Sequence, residues 1–154
     1  MPVLPSKSNM KTRREAREWA LKILYAHELS GNPLDLVIQQ LLPKGEAEAN
    51  AQFTLELVRK TLEKLAAIDE SIQRHAEKWD LSRIAVLDRL ILRLAICEIL
   101  YFDDIPPKVT INEAIEIAKK YSTEKSDKFV NGILDAVLHR QVLGEKPVRT
   151  PAED

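Results

Sequence analysis

The chain has 154 residues, 45% hydrophobic, 31% charged and 5% aromatic, with 23 Lys+Arg against 24 Asp+Glu and a net charge of -1. That length supports a core without disulfides or a structural metal, and the lone Cys97 excludes a disulfide framework or a zinc-thiolate cluster and points to a reducing, cytoplasmic compartment. The glycines, at 31, 45, 132 and 144, lie too far apart for a G-x-G-x-x-G fingerprint or a G-x-x-x-x-G-K-[ST] loop, and near-neutrality argues, as an average, against nucleic acid.

Residues 1–11, with Pro2, Pro5 and no long apolar run, read as a flexible arm and not as a signal peptide. Ala16, Ala20, Ile23, Leu24 and His27 recur at helical spacing, predicting a first helix from about Thr12 to Ser30 that Gly31 stops. Asn32-Pro33 predicts a second, with Asn32 as cap and Pro33 at the first helical position, ending near Leu42-Pro43. Lys44 to Asn50 reads as a polar loop. A third helix over Ala51–Leu65 turns Phe53, Leu57, Val58, Leu62 and Leu65 inward, and a fourth covers about Ile68 to Trp79.

Ser82 is the expected cap of a central helix over Ile84–Phe102, a span with 15 apolar residues in 19. Its apolar positions nearly encircle the axis, the pattern of a buried helix; Asp88, Arg89, Arg93 and Glu98 argue against a membrane span. After Pro106-Pro107, Thr110-Ile111-Asn112-Glu113 reads as a capping box. The helix it opens sets Ile111, Ala114, Ile115, Ile117, Ala118 and Tyr121 on one face. A joint at Ser122–Glu124 precedes a last helix from about Lys125 to Val142, which Gly144 ends. No stretch alternates like a strand. The expectation is an all-α fold of about seven helices in one domain over 12–143, followed by a flexible tail over 144–154.

Catalytic chemistry finds no support. His27, His75 and His139 share no metal-ligand spacing, and Cys97 lies in an apolar stretch where a thiol is inert packing. Ser122-Thr123-Glu124-Lys125 is a bare S-x-x-K on the wrong fold for a serine acyl-enzyme. No enzymatic activity, cofactor or metal is expected.

Charge is unevenly distributed. Through residue 22, six cations (Lys7, Lys11, Arg13, Arg14, Arg17, Lys22) face Glu15 and Glu18 for +4, and the remainder carries −5. Arginines at a helix start oppose the helix dipole. Either an external anion such as RNA phosphate explains them, or they pair locally with Glu15 and Glu18. A second cluster, Lys119, Lys120, Lys125 and Lys128, adjoins Phe129, a candidate base-stacking aromatic or a core residue. Gly132 inside a helix reads as the close approach of another helix, with Asn131 beside it.

Arg13-Arg14-Glu15-Ala16-Arg17, Leu87-Asp88-Arg89 with Leu92-Arg93-Leu94-Ala95, Ile111-Asn112-Glu113-Ala114-Ile115-Glu116-Ile117-Ala118-Lys119 and Lys128-Phe129-Val130-Asn131-Gly132-Ile133-Leu134-Asp135 resemble, in that order, the NusB family over about residues 12 to 138. The resemblance implies two packed three-helix-like subdomains without catalysis. It also implies pairing with NusE, a protein of the small ribosomal subunit, and joint binding of boxA RNA. The complex then promotes read-through by RNA polymerase, notably in rRNA operons. Carried over by position, Arg13, Arg14, Arg17, Lys128 and Phe129 are expected RNA-binding residues and Tyr25 and Asp88 face NusE; Lys11, Lys120 and Lys125 of the two basic clusters join the expected RNA-binding set. Glu15 interrupts what is an arginine run in many members, and Lys125 stands where some carry an acid. A helical protein-interaction scaffold and a stand-alone module assisting RNA modification are the alternatives; monomer and weak homodimer both stay open.

Overall fold

The computed structural model describes residues 12–42, 48–76 and 81–144. The expected arm over 1–11 with Lys11, most of the expected 44–50 loop, Trp79 and the expected tail beyond Gly144 lie outside the described residues.

Helix α1 (Arg13–Ser30) starts at Thr12, whose hydroxyl accepts from the Glu15 backbone N–H at 3.1 Å and donates to the Glu15 carboxylate at 3.1 Å. Glu15 therefore closes a capping arrangement, which accounts for an acid among arginines. Gly31, at φ 71°, ends the helix by returning its N–H to the His27 carbonyl.

Several expected starts are displaced. In α2 (Leu34–Leu41) Pro33, not Asn32, occupies the cap position, and no side chain caps the helix. Helix α3 (Glu48–Glu63) reaches back into the expected polar loop, where Ala49 favours helix. Helix α4 (Leu65–Ala76) follows after Lys64 alone, earlier than expected. Ser82 falls in a 3₁₀ turn (Leu81–Arg83), so Ala85 takes the cap position of α5 (Val86–Tyr101), without a side-chain cap.

Helix α6 (Pro107–Tyr121) begins ahead of the expected capping box. Pro107 takes the first helical position with its φ already set, and the Val109 and Thr110 N–H groups bond the Pro106 carbonyl at 3.0 and 3.4 Å. Thr110 thus lies inside the helix, and its hydroxyl and Glu113 have other partners. Helix α7 (Ser126–Ala136) continues into a π-type turn (Val137–Val142), where the Leu143 N–H bonds the Leu138 carbonyl at 2.9 Å before Gly144 at φ 70°.

The seven α-helices of the described residues form an N-terminal set, α1–α3, and a C-terminal set built around α5, which touches α1, α3, α4, α6 and α7. Leu90, Ile91, Leu92, Leu94, Ile96 and Ile99 of α5 are buried all round its axis. Its four charges are tied inside the fold. Asp88 and Glu98 are buried with hydroxyl or guanidinium partners. Arg93 grips Asp69 of α4 at 2.7 and 2.9 Å, and Arg89 bonds Glu28 of α1 at 2.7 Å. Among the described residues there is no strand, and no helix is long and apolar enough to cross a membrane.

Candidate nucleic-acid interface

The arginines of α1 occupy three different environments. Arg13 is exposed, with its guanidinium 4.3 Å from the centre of the Phe53 ring, which meets Phe102 edge-on at 5.7 Å. Arg14 has a half-exposed side chain, and its Nε donates to the Glu113 carboxylate of α6 at 2.5 Å. That hydrogen bond, opposed by partial burial, raises the Arg14 pKa above its ordinary value. Arg17 is buried, contrary to the expectation of an RNA-contacting residue: Nε and Nη2 clasp Glu98 at 2.8 and 2.7 Å. The Thr110 hydroxyl donates to the same carboxylate at 3.1 Å, so this set joins α1, α5 and α6 instead of facing solvent.

Local pairing of the arginines with Glu15 and Glu18 does not occur in these bonds. Glu18 is buried and accepts from Lys120 Nζ at 2.6 Å and from the Tyr121 hydroxyl. Burial, then the Glu18 bond, pushes the Tyr121 phenol well above its ordinary pKa. Lys22, counted above in the basic segment, is buried, which lowers its pKa.

These contacts fix α6 relative to α1: Arg14 meets Glu113, and one turn further along α1 and two turns further along α6 Glu18 meets Lys120. The basic start of α1 is thereby carried along α6 to the α6–α7 joint. There the Asp88 carboxylate accepts from Ser122 Oγ at 2.6 Å and Ser126 Oγ at 2.9 Å, holding the joint to the first turn of α5. Lys125 and Lys128 are exposed beyond it, and Phe129 is half-buried. A groove of about 300 Å³ lies between this joint and the Arg83–Ala85 segment, with Asp88, Lys125 and Phe129 in its walls.

Asp88, expected to face a partner, is thus mostly internal and lines that groove. Tyr25 is half-buried against the core on α1. The structure groups Arg13, Arg14 and Lys120 along one edge and Lys125, Lys128 and Phe129 at its end. Sequence reasoning missed Glu113, Glu98 and Glu18 as the counter-ions; heptad-like spacing of Glu113 and Lys120 on one face of α6 was the available signal.

Burial pushes the Cys97 thiol up to about 11, and among the described residues no group of three or more His, Cys, Asp or Glu could hold a metal ion.

The NusB family profile matches residues 14–139. Transcription antitermination protein NusB of Chloroherpeton thalassium is 47% identical over 130 residues, 83% of this chain and 62% of that protein's length, so the chain spans under two thirds of that relative. A solved structure of T. maritima NusB superposes with a TM-score of 0.78 at 41% identity, covering 89% of this chain and 94% of that one. A chain from a crystal structure of the antitermination factors NusB and NusE with double-stranded RNA gives a TM-score of 0.74 at 26% identity, covering 81% and 94%. With most of its length matched by the profile and the helical architecture shared with those structures, the chain belongs to the NusB family.

Proposed function

We propose that this protein is a cytoplasmic, non-enzymatic transcription antitermination factor that binds boxA RNA together with NusE and assists read-through by RNA polymerase, notably in rRNA operons. The observation that carries the reading is the basic edge from Arg13 and Arg14 past Lys120 to Lys125 and Lys128, ending on Phe129, in a member of this family. Phosphates bind the guanidinium and ammonium groups, and a base stacks on Phe129. Lys11 extends the same basic segment in sequence. Arg17 acts from inside by fixing α1 against α5 and α6.

NusE docks at the side carrying Tyr25 and at the joint that Asp88 holds. Because Asp88 is bonded to Ser122 and Ser126, its part is to keep the joint's shape for the partner.

Fluorescence anisotropy of a single-stranded boxA RNA, with and without NusE and across a salt series, tests the reading. If Arg13, Arg14, Lys125 and Lys128 each neutralise a phosphate, log K falls with log salt at a slope of about −3, from roughly −0.7 per contact on single strands. No binding at low salt with NusE present would overturn it and leave a protein-binding helical scaffold.

A further inference from the structure

Gly132 has no purpose inside the described fold. Glycine weakens a helix interior relative to alanine, and the expectation for Gly132 from the sequence is the close approach of another helix. The structure corrects that: Gly132 is exposed, and a Cβ built on it meets nothing within 4 Å among the described residues. Only Gly31 and Gly144 have positive φ there, so backbone conformation does not require glycine at 132 either.

Its surroundings are those of an anion-binding surface. At 100° per residue, Lys125, Lys128, Phe129 and Gly132 fall within about 100° of arc on α7, with Gly132 between the two directions of Lys128 and Phe129. This stripe borders the groove that Arg83, Asp88, Lys125 and Phe129 line, where the Asp88 carboxylate is taken up by Ser122 and Ser126, and Arg83, Lys125 and Lys128 are all exposed. Two turns beyond Lys128, Asp135 lies 3.3 Å from His139 Nε2, and Glu124 and Asp127 adjoin the two lysines in sequence.

We propose that Gly132 is the point where the sugar-phosphate backbone of a single-stranded RNA lies directly against α7. The missing side chain lets the strand descend onto the helix, so that Lys125 and Lys128 reach its phosphate oxygens while a base stacks on Phe129. The inference rests on the RNA-binding reading above and adds a position where shape, not charge, sets affinity.

Gly132→Ala and Gly132→Gln test it without endangering the fold, since both replace glycine by better helix formers in open space. Both variants should melt higher, by about 2–4 °C. Affinity for a single-stranded boxA RNA in the presence of NusE should fall, by about tenfold for Gln and less for Ala, the loss of roughly one charge-assisted contact. Variants that are stabilised yet bind RNA like the parent overturn the inference while leaving the RNA-binding reading intact. A parent that binds no RNA overturns both. Weakened NusE capture with RNA affinity unchanged would give Gly132 to the protein partner and likewise overturn the proposal.

Discussion

Arg17→Ala should unfold the protein more readily than any other substitution among the α1 arginines. The Arg17 and Glu98 side chains are 6% and 2% exposed, and the substitution removes both bonds at 2.8 and 2.7 Å. Glu98 keeps the Thr110 hydroxyl at 3.1 Å but no opposite charge in that cluster. Removing one partner of a buried ion pair costs about 3–5 kcal/mol, a large part of the roughly 5–15 kcal/mol that holds an ordinary domain. At about 2–4 °C per kcal/mol the melting temperature should fall by roughly 10 °C. Arg14→Ala is the control: its side chain is 51% exposed against Glu113 at 21%, so stability should change by about 1 kcal/mol or less while RNA affinity falls. Urea and thermal unfolding followed by circular dichroism read both. Replacing Arg17 and Glu98 together by methionine should recover most of the loss, because a buried pair exchanged for apolar side chains is near neutral. An Arg17→Ala variant within about 0.5 kcal/mol of the parent would refute the structural role of this cluster.

Phe129→Ala should weaken RNA binding by about 1–3 kcal/mol, the range for loss of a base-stacking aromatic; unchanged affinity in the presence of NusE would show that no base stacks there. Cys97, with no exposed surface and its thiol pushed up to about 11, should resist a thiol reagent at pH 8 until urea opens the core, and rapid labelling of the native protein would contradict its burial. Burial, then Arg140 and Arg74, lowers the His75 pKa below 6.5, so just below pH 6.5 the unfolded chain binds a proton that the folded chain does not. The stability due to neutral His75 is complete above pH 6.5 and is lost as pH falls through the folded-state pKa; between pH 7.5 and 5.5 the melting temperature of His75→Gln should drop less than the parent's, and equal drops would refute this.

Helix positions were legible in the sequence because apolar spacing reports burial directly: the near-continuous stretch after Ile84 is the buried α5, and Gly31 and Gly144 end helices in the left-handed conformation. Helix starts were less legible because several residues compete for each cap. Thr12 and Glu15 and again Thr110 and Glu113 have the spacing of a capping box. The first pair caps α1, but at the second Pro107 has already started the helix, leaving Thr110 to Glu98 and Glu113 to Arg14. The cationic stretch was visible, whereas its counter-ions were not: Glu98 and Glu113 follow Arg17 and Arg14 by 81 and 99 residues, and only the packing of α5 against α1 and of α6 against α5 brings them together.

That packing changes what the +4 of the first 22 residues can do. Arg17 is neutralised inside by Glu98, Lys22 is buried, and Glu18 holds Lys120. Among the described residues of the basic edge, long-range attraction of RNA therefore falls to Arg13, Lys125 and Lys128, with Arg14 shared with Glu113. A phosphate arriving at Arg14 meets a guanidinium bonded through Nε alone, with both terminal nitrogens outside that bond. It can add to the Glu113 contact or displace it, and a surface pair of this kind is worth at most about 1 kcal/mol, so neither course presents a large barrier. The sign of Glu113→Gln separates the two. If the phosphate displaces the carboxylate, removing its charge tightens RNA binding; if Glu113 orients Arg14 for the phosphate, the substitution weakens it. The exposed geometry and the repulsion between carboxylate and phosphate favour displacement, and the expected result is tighter binding, most evident at low salt where like charges are least screened.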